Sequence, residues 1–152
     1  MKISEIIHKD AIIANLKSTD KKGVLEELAV AVSKTAGVEY KEILRVLLER
    51  ELLGSTGIGG GIGIPHGKLN SISSVVVAIG ISHKGVEFDS LDNKPVYIFF
   101  LLITPENSTG SHLRVLAQLS KLLKKTDFQN SLKQAKSADE ITAIIHKNDE
   151  DF

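Results

Sequence analysis

The stretch Val96-Tyr97-Ile98-Phe99-Phe100-Leu101-Leu102-Ile103 is an uninterrupted run of apolar and aromatic residues. It is too short to span a membrane, which needs about 18 such residues, and it is typical of a buried β-strand. A second run, rich in β-branched residues, extends from Val75 to Ile81. Two continuous apolar strands predict a sheet that is covered on both faces.

Helical patterns lie on both sides of these strands. Asp20 is a candidate N-cap for a helix that stops at Gly37. The other predicted elements are a first strand over Ala11–Leu16 and helices over about 39–52, from near 109–112 onward, over 127–135 and over 137–147. The order β-αα-βββ-ααα predicts a single three-layer α/β/α sandwich, with a mixed sheet of about four to five strands flanked by helices.

The composition limits the classes of function. A chain of 152 residues fits one domain, predicted here over residues 1–152. The 19 basic and 19 acidic residues cancel, so no overall field favours nucleic acid or an anionic membrane. The N-terminus lacks the apolar region of a secretory signal, which leads us to expect a soluble cytoplasmic protein without membrane insertion. Cysteine is absent, so covalent chemistry must use Ser, Thr, His, Lys or a carboxylate.

The segment from Gly54 to Gly67 contains seven glycines. Apolar residues alternate through it, so it is predicted to form tight turns joined to short buried strands. Two nucleotide-binding motifs fail here. A P-loop requires Ser or Thr after Gly-Lys, but Leu69 follows Gly67-Lys68. The pattern Gly-x-Gly-x-x-Gly is not completed from any glycine of the segment. No bound nucleotide or other cofactor is therefore predicted.

A histidine stands at the end of this segment. His66 lies between Pro65, whose backbone is restricted, and Gly67, which has no side chain. Neutral imidazole is nucleophilic near pH 7 and can form covalent intermediates. A turn histidine with only a packing role fits the same residues equally well, and the local sequence leaves both interpretations open.

A resemblance to a known family favours the first interpretation. Residues 49–68, which include Glu49-Arg50-Glu51 and Ile64-Pro65-His66-Gly67-Lys68, resemble the active-site signature of the fructose/mannitol-type enzyme IIA family. That family belongs to the bacterial phosphoenolpyruvate-dependent sugar phosphotransferase system. Residues 88–96 and 111–117 resemble it too, in the same order. One departure is Gly63, where the family usually has alanine, and we expect a looser loop there.

The resemblance implies a role for each of several residues. His66 would be the phosphorylated nucleophile, through Nε2, with the carrier protein HPr as donor and a cysteine of an enzyme IIB as acceptor. Arg50 would lie near His66, with a planar guanidinium suited to phosphate oxygens. His112 would lie beside His66 near a helix N-terminus and donate a hydrogen bond to phosphate.

Other polar residues are predicted to have a supporting role at the site or no role in it. Ser55 and Thr56, with the glycine N–H groups, would support the phosphate, although they fit a purely turn-capping role as well. The remaining histidines, His8, His83 and His146, are predicted to be surface residues. A metal site is not predicted, because His66 and His112 have no third ligand at suitable spacing.

Two functions follow from the resemblance. The first is a phosphoryl relay from HPr to a sugar permease. The second is a regulatory protein of the nitrogen-related branch, in which phosphorylation of His66 controls binding to partner proteins. Residues 58–62 resemble both the fructose branch and the nitrogen-related branch of the family. In either case we expect an apolar contact face around His66, with Ile58, Ile62 and Leu69 as contributors.

Overall fold

The computed structural model describes the backbone of residues 1–152 and every side chain except that of Thr109. Its helices are α1 (Ile3–Ile6), α2 (Lys21–Ala36), α3 (Tyr40–Leu52), α4 (Thr109–Leu123), α5 (Thr126–Gln134) and α6 (Ala138–Asn148). Its strands are β1 (Ile7–Ile13), β2 (Gly57–Gly59), β3 (Ile62–Gly63), β4 (His66–Leu69), β5 (Val76–Val86) and β6 (Val96–Pro105).

All six strands join one mixed sheet. Its order is β1-β5-β6-β3-β2, and β4 also pairs with β6. The two long apolar strands, β5 and β6, lie antiparallel at the centre. β3 and β4 follow one another along β6 and both run parallel to it. The sheet therefore carries the glycine-rich segment next to its most buried strand.

Two apolar cores cover the two faces of the sheet. Alternate residues of β6 point to opposite sides, with Phe100 and Leu102 in one core and Phe99 and Leu101 in the other. The first core is completed by α1 and α4–α6, and the second by α2 and α3. This arrangement confirms the predicted α/β/α sandwich.

The helix boundaries agree closely with the sequence signals. The Asp20 carboxylate accepts a hydrogen bond from the Gly23 N–H at 2.7 Å and so caps α2. Gly37 ends that helix with a φ of 67°, a left-handed conformation that glycine adopts without steric cost.

The strands depart from the prediction in three ways. The sheet has six strands instead of about four to five, because the glycine-rich segment supplies three short ones. β1 covers Ile7–Ile13 and not Ala11–Leu16. Leu16 lies beyond the strand but still donates its N–H to the Ile81 carbonyl at 2.8 Å. β5 extends to Val86, beyond the apolar run that ends at Ile81.

The short helix α1 has no counterpart in the prediction. Its first N–H groups, those of Ile3 and Ser4, donate to the two oxygens of Asp149 at 3.0 and 2.8 Å. The cap therefore comes from the far end of the chain, where no local sequence signal could reveal it.

Candidate functional site

His66 is presented by a break in the strand pairing along β6. β3 pairs with β6 at Ile62 and Gly63, and β4 resumes the pairing at His66, which lies opposite Leu102. Between them, the Pro65 carbonyl accepts the Leu102 N–H at 2.9 Å. Buried and half-buried residues alternate along β4, so His66 and Lys68 share one face of the strand. The histidine therefore stands at the start of a strand held by the central sheet.

The glycine after His66 is required by packing. A Cβ atom at Gly67 would lie 2.5 Å from Cγ1 of Val46, on α3. Only glycine allows β4 and α3 to approach this closely, so the helix supports the strand directly behind the histidine.

In the His66 ring, Nδ1 is hydrogen-bonded to the protein, whereas Nε2 has no hydrogen-bond partner among the described atoms. Nδ1 lies 2.8 Å from the Ile64 carbonyl oxygen. A carbonyl oxygen only accepts, so Nδ1 carries the proton and the lone pair of the neutral ring lies on Nε2. Burial lowers the pKa of His66 below 6.5; the Ile64 carbonyl opposes this, Arg50 lowers it further and Glu51 raises it. The ring is therefore neutral at pH 7, with its lone pair on Nε2.

His112 lies directly against His66. The two ring centroids are 5.4 Å apart and the rings meet edge to face. His112 is the fourth residue of α4, and its backbone N–H already donates to the Ser108 carbonyl at 2.9 Å. Burial lowers the pKa of its ring, with further lowering from His66 and Lys68. The side chain, and not the backbone amide, is thus the group available to a ligand.

Arg50 lies in the last turn of α3. One guanidinium N–H donates to the Gly54 carbonyl at 2.9 Å, which ties the helix end to the following turn. Its positive charge also lowers the pKa of His66, so the two side chains interact electrostatically. Arg50 thus combines a fixed position with an effect on the predicted nucleophile.

The hydroxyls of Ser55 and Thr56 are engaged within the protein. Ser55 Oγ donates to the Phe88 carbonyl at 2.7 Å and accepts the Gly57 N–H at 3.0 Å. The buried Thr56 hydroxyl donates to the Glu51 carboxylate, which also accepts the Thr56 N–H at 3.1 Å. These contacts shape the turn after α3. Direct support of a phosphate by either hydroxyl stays a prediction.

Glu51 is a site residue that sequence reasoning missed. Its side chain is buried, and Lys21 Nζ lies 3.0 Å from its carboxylate. Lys21 in turn lies 3.5 Å from Asp89. One signal was present: an acidic residue in the last turn of a helix opposes the helix dipole and needs another partner. That partner lies 30 residues earlier in the chain, at the start of α2.

Lys68 is a second residue that the prediction overlooked. It follows His66 by two positions on the same face of β4 and lowers the pKa of His112 through its charge. The strand periodicity of two would have placed it beside the histidine. It adds a second cation to the surroundings of the two rings.

Residues 88–95 contact the glycine-rich segment and hold its first turn in place. The Leu91 N–H donates to the Gly57 carbonyl at 3.0 Å, and the Gly60 N–H donates to the Asp92 carboxylate at 3.0 Å. Gly60 has a φ of 67°, which favours glycine. These contacts bring together two of the stretches that carry the family resemblance. Gly63 lies inside β3 and is buried, so the looser loop expected there is a strand.

Two of the three residues expected in the apolar contact face are buried. Ile62 and Leu69 are 5% and 3% exposed and belong to the core, because both lie on inward faces of the short strands. Ile58 is exposed. Four leucines near site residues in the chain are also exposed and were missed. Leu52 and Leu53 follow Glu51, Leu91 donates its N–H to the Gly57 carbonyl, and Leu113 follows His112.

The remaining negative predictions concern histidines, metals and membranes. His8, His83 and His146 are exposed, as predicted. Within the described residues, no group of three or more His, Cys, Asp or Glu side chains is arranged to hold a metal ion. No helix in the described part of the chain combines the length and apolar character needed to cross a membrane.

Comparison with known proteins identifies the family. Residues 5–148 match the family described as phosphoenolpyruvate-dependent sugar phosphotransferase system, EIIA 2. A nitrogen regulatory protein of Bradyrhizobium diazoefficiens is 34% identical over 95% of each chain. The fructose-specific EIIABC component of Bacillus subtilis is 36% identical over 98% of this chain, which spans only 24% of that longer protein.

Solved structures show the same fold. Nitrogen regulatory protein IIA-Ntr from Neisseria meningitidis superposes with a TM-score of 0.88 at 34% identity, over 94% of this chain and 98% of that one. The mannitol enzyme IIA of Escherichia coli, in complex with phosphorylated enzyme IIB, has a TM-score of 0.76 at 20% identity, over 91% and 95% of the chains. The fold, the family match and the two relatives agree, and the chain belongs to the EIIA 2 family of the phosphoenolpyruvate-dependent sugar phosphotransferase system.

Proposed function

We propose that this chain is a phosphoryl carrier that accepts a phosphoryl group on Nε2 of His66 from phospho-HPr and transfers it to a cysteine of an enzyme IIB. The observation that carries the proposal is the His66–His112 pair, with ring centroids 5.4 Å apart and Nδ1 of His66 held by the Ile64 carbonyl. That contact directs the reactive lone pair of His66 to Nε2. Residues 1–152 would act as one such unit.

The proposed reaction is two successive displacements at phosphorus. In the first, the Nε2 lone pair of His66 attacks, a new N–P bond forms, and the N–P bond to the donor histidine breaks. In the second, a cysteine thiolate of the acceptor attacks and the N–P bond to His66 breaks. Phosphoryl transfer relies on positioning and charge stabilisation. Arg50, Lys68 and the His112 N–H would stabilise the phosphoryl oxygens.

The low pKa of His66 suits this role. Its ring is neutral at pH 7 and needs no separate base to expose the lone pair. The exposed side chains beside the site, Ile58, Leu53, Leu91 and Leu113, would contact the donor and acceptor proteins. Relay contacts are transient, so this face is expected to be small.

Labelling with a phosphoryl donor tests the proposal. Wild-type protein incubated with phospho-HPr is expected to gain one acid-labile phosphoryl group, located on His66 by mass spectrometry. His66→Ala should gain none, because the nucleophile is gone. His83→Ala, which changes an exposed histidine elsewhere, is the matched control and should label normally. Labelling of His66→Ala at the wild-type level would contradict the proposal.

A second candidate is a regulatory role for the same phosphorylation. It is favoured by the names of two relatives, the nitrogen regulatory proteins of Bradyrhizobium diazoefficiens and Neisseria meningitidis. Adding an enzyme IIB to the labelled protein separates the two functions. Rapid transfer of label to the enzyme IIB cysteine supports the relay. Stable label together with altered binding to a partner protein supports regulation.

A further inference from the structure

Thr104 contacts the second histidine from inside the protein. It lies near the end of β6, opposite Lys68 in the pairing with β4, and is 0% exposed. Its Oγ1 lies 2.9 Å from Nδ1 of His112. Neither the sequence patterns nor the family resemblance drew attention to this residue, because it sits within an apolar strand.

The direction of this hydrogen bond follows from the burial of the hydroxyl. Threonine has one hydroxyl proton, and no other acceptor for it is found among the described atoms. If Nδ1 of His112 donated, that proton would be buried without a partner, which is costly. The hydroxyl therefore donates, Nδ1 accepts, and the proton of the neutral His112 ring lies on Nε2.

We propose that Thr104 is a positioning residue that holds His112 as the Nε2–H tautomer, so that this ring offers a hydrogen-bond donor to the phosphoryl group on His66. The role in transfer rests on the function proposed above. The two rings are then complementary. His66 has its Nδ1 proton held by the Ile64 carbonyl and offers a lone pair at Nε2, whereas His112 has its Nδ1 lone pair held by Thr104 and offers a proton at Nε2.

Nitrogen NMR of the unphosphorylated protein tests the contact itself. In wild type, ¹⁵N-labelled His112 is expected to show an Nε2–H tautomer with Nδ1 accepting a hydrogen bond. Thr104→Val keeps the shape of the side chain and removes the donor, so the Nδ1 resonance should move to the position of an unbonded or mixed-tautomer ring. Thr104→Ser restores the hydroxyl and should restore the wild-type signal. Thr142→Val removes a half-buried hydroxyl in α6 and is the control that should leave His112 unchanged.

Transfer kinetics test the functional part. Thr104→Val is expected to slow the gain and loss of label on His66 by about two- to tenfold, the effect of one neutral hydrogen bond, while Thr104→Ser stays close to wild type. His112→Ala should be slower than Thr104→Val, since it removes the donor entirely. Equal rates for wild type and Thr104→Val would overturn the positioning role.

The tautomer measurement on wild type needs neither a folded variant nor a phosphoryl donor. A proton found on Nδ1 of neutral His112 would overturn the proposal even if Thr104→Val fails to fold. Conversely, if His66 is never labelled while the NMR signals behave as expected, the Thr104 contact stands and the proposed function is what fails.

Discussion

At the scale of single residues, the site depends on hydrogen bonds that hold its side chains in one position. The Ile64 carbonyl determines which nitrogen of His66 carries the proton, and Arg50 both ties α3 to its turn and lowers the pKa of the His66 ring. Glu51 fixes the turn after α3, because its carboxylate accepts hydrogen bonds from the backbone and the side chain of Thr56 and pairs with Lys21. A buried carboxylate with three contacts of this kind is expected to matter for stability and for the site.

Glu51→Gln tests this role. The amide keeps the shape but loses the charge, so the contact to Lys21 weakens and the free energy of unfolding should fall by about 1–3 kcal/mol in urea denaturation. The pKa of His66 should fall further, because Glu51 raises it, and an NMR titration measures this shift.

Glu49→Gln is the matched control for that variant. Glu49 forms an exposed pair with Arg45 on the same helix at 3.0 Å, and exposed pairs contribute about 0–1 kcal/mol. Equal losses of stability in the two variants would show that Glu51 has no special role.

At the scale of secondary structure elements, the site lies where α3, β4 and α4 meet. α3 supports β4 from one side through the contact of Val46 with Gly67, and α4 brings His112 to the other side. The spacing of the two rings therefore depends on the position of β4 relative to α4, and α3 fixes β4 from the opposite side.

Gly67→Ala tests this packing. The added methyl would lie 2.5 Å from Val46 Cγ1, and overpacking of this kind costs about 1–3 kcal/mol. Thermal or urea unfolding should show that loss in the wild-type background and a smaller one in a Val46→Ala background, where the space is free. Gly63→Ala, whose Cβ meets the Phe99 ring at 3.3 Å, is the milder control. An equal effect of Gly67→Ala in both backgrounds would contradict the contact.

The elements that the sequence predicted well are those with local signals. α2 has an N-cap at Asp20 and a C-cap at Gly37, and β6 begins with the uninterrupted apolar run from Val96 to Ile103. α1 is capped by Asp149 and the extent of β1 is set by its pairing with β5, so both depend on residues far along the chain that no local pattern could place. The short strands β3 and β4 exist because β6 offers them an edge.

For the site, the sequence pointed to the two histidines more clearly than to the residues that contact them. The pairing of His66 with His112 was implied by the family resemblance, and the structure brings the two rings together. Glu51 pairs with Lys21 on another helix and Thr104 of β6 contacts His112 of α4, and spacing along the chain does not reveal such contacts. Lys68, by contrast, follows from the alternation along β4. Ile62 and Leu69 were misplaced because inward and outward faces of two- and four-residue strands are difficult to assign by alternation.

At the scale of the whole molecule, the two site histidines link stability to pH. Both have pKa values below 6.5 in the folded protein, mainly because of burial, so the unfolded chain binds protons more readily. Stability is therefore fully present above about pH 6.5 and falls as pH decreases through the folded pKa values.

Thermal unfolding between pH 5 and pH 8 measures this link. Wild type should have a flat Tm above about pH 7 and a falling Tm below about pH 6.5. A His66→Gln, His112→Gln double variant should show a weaker decrease over that range, because the two titrating rings are gone. A decrease as steep as that of wild type would contradict the assignment.

The register of β4 against β6 has one more consequence. His66 lies opposite Leu102, and Lys68 lies opposite Thr104, the residue that contacts His112. The His66 ring and the residue that contacts its neighbour are therefore positioned by the same four-residue ladder of backbone hydrogen bonds. Because this ladder lies in the sheet, we expect substitutions on the outer surfaces of α3 and α4 to leave β4 and β6 in register, so these surfaces could change separately from the site.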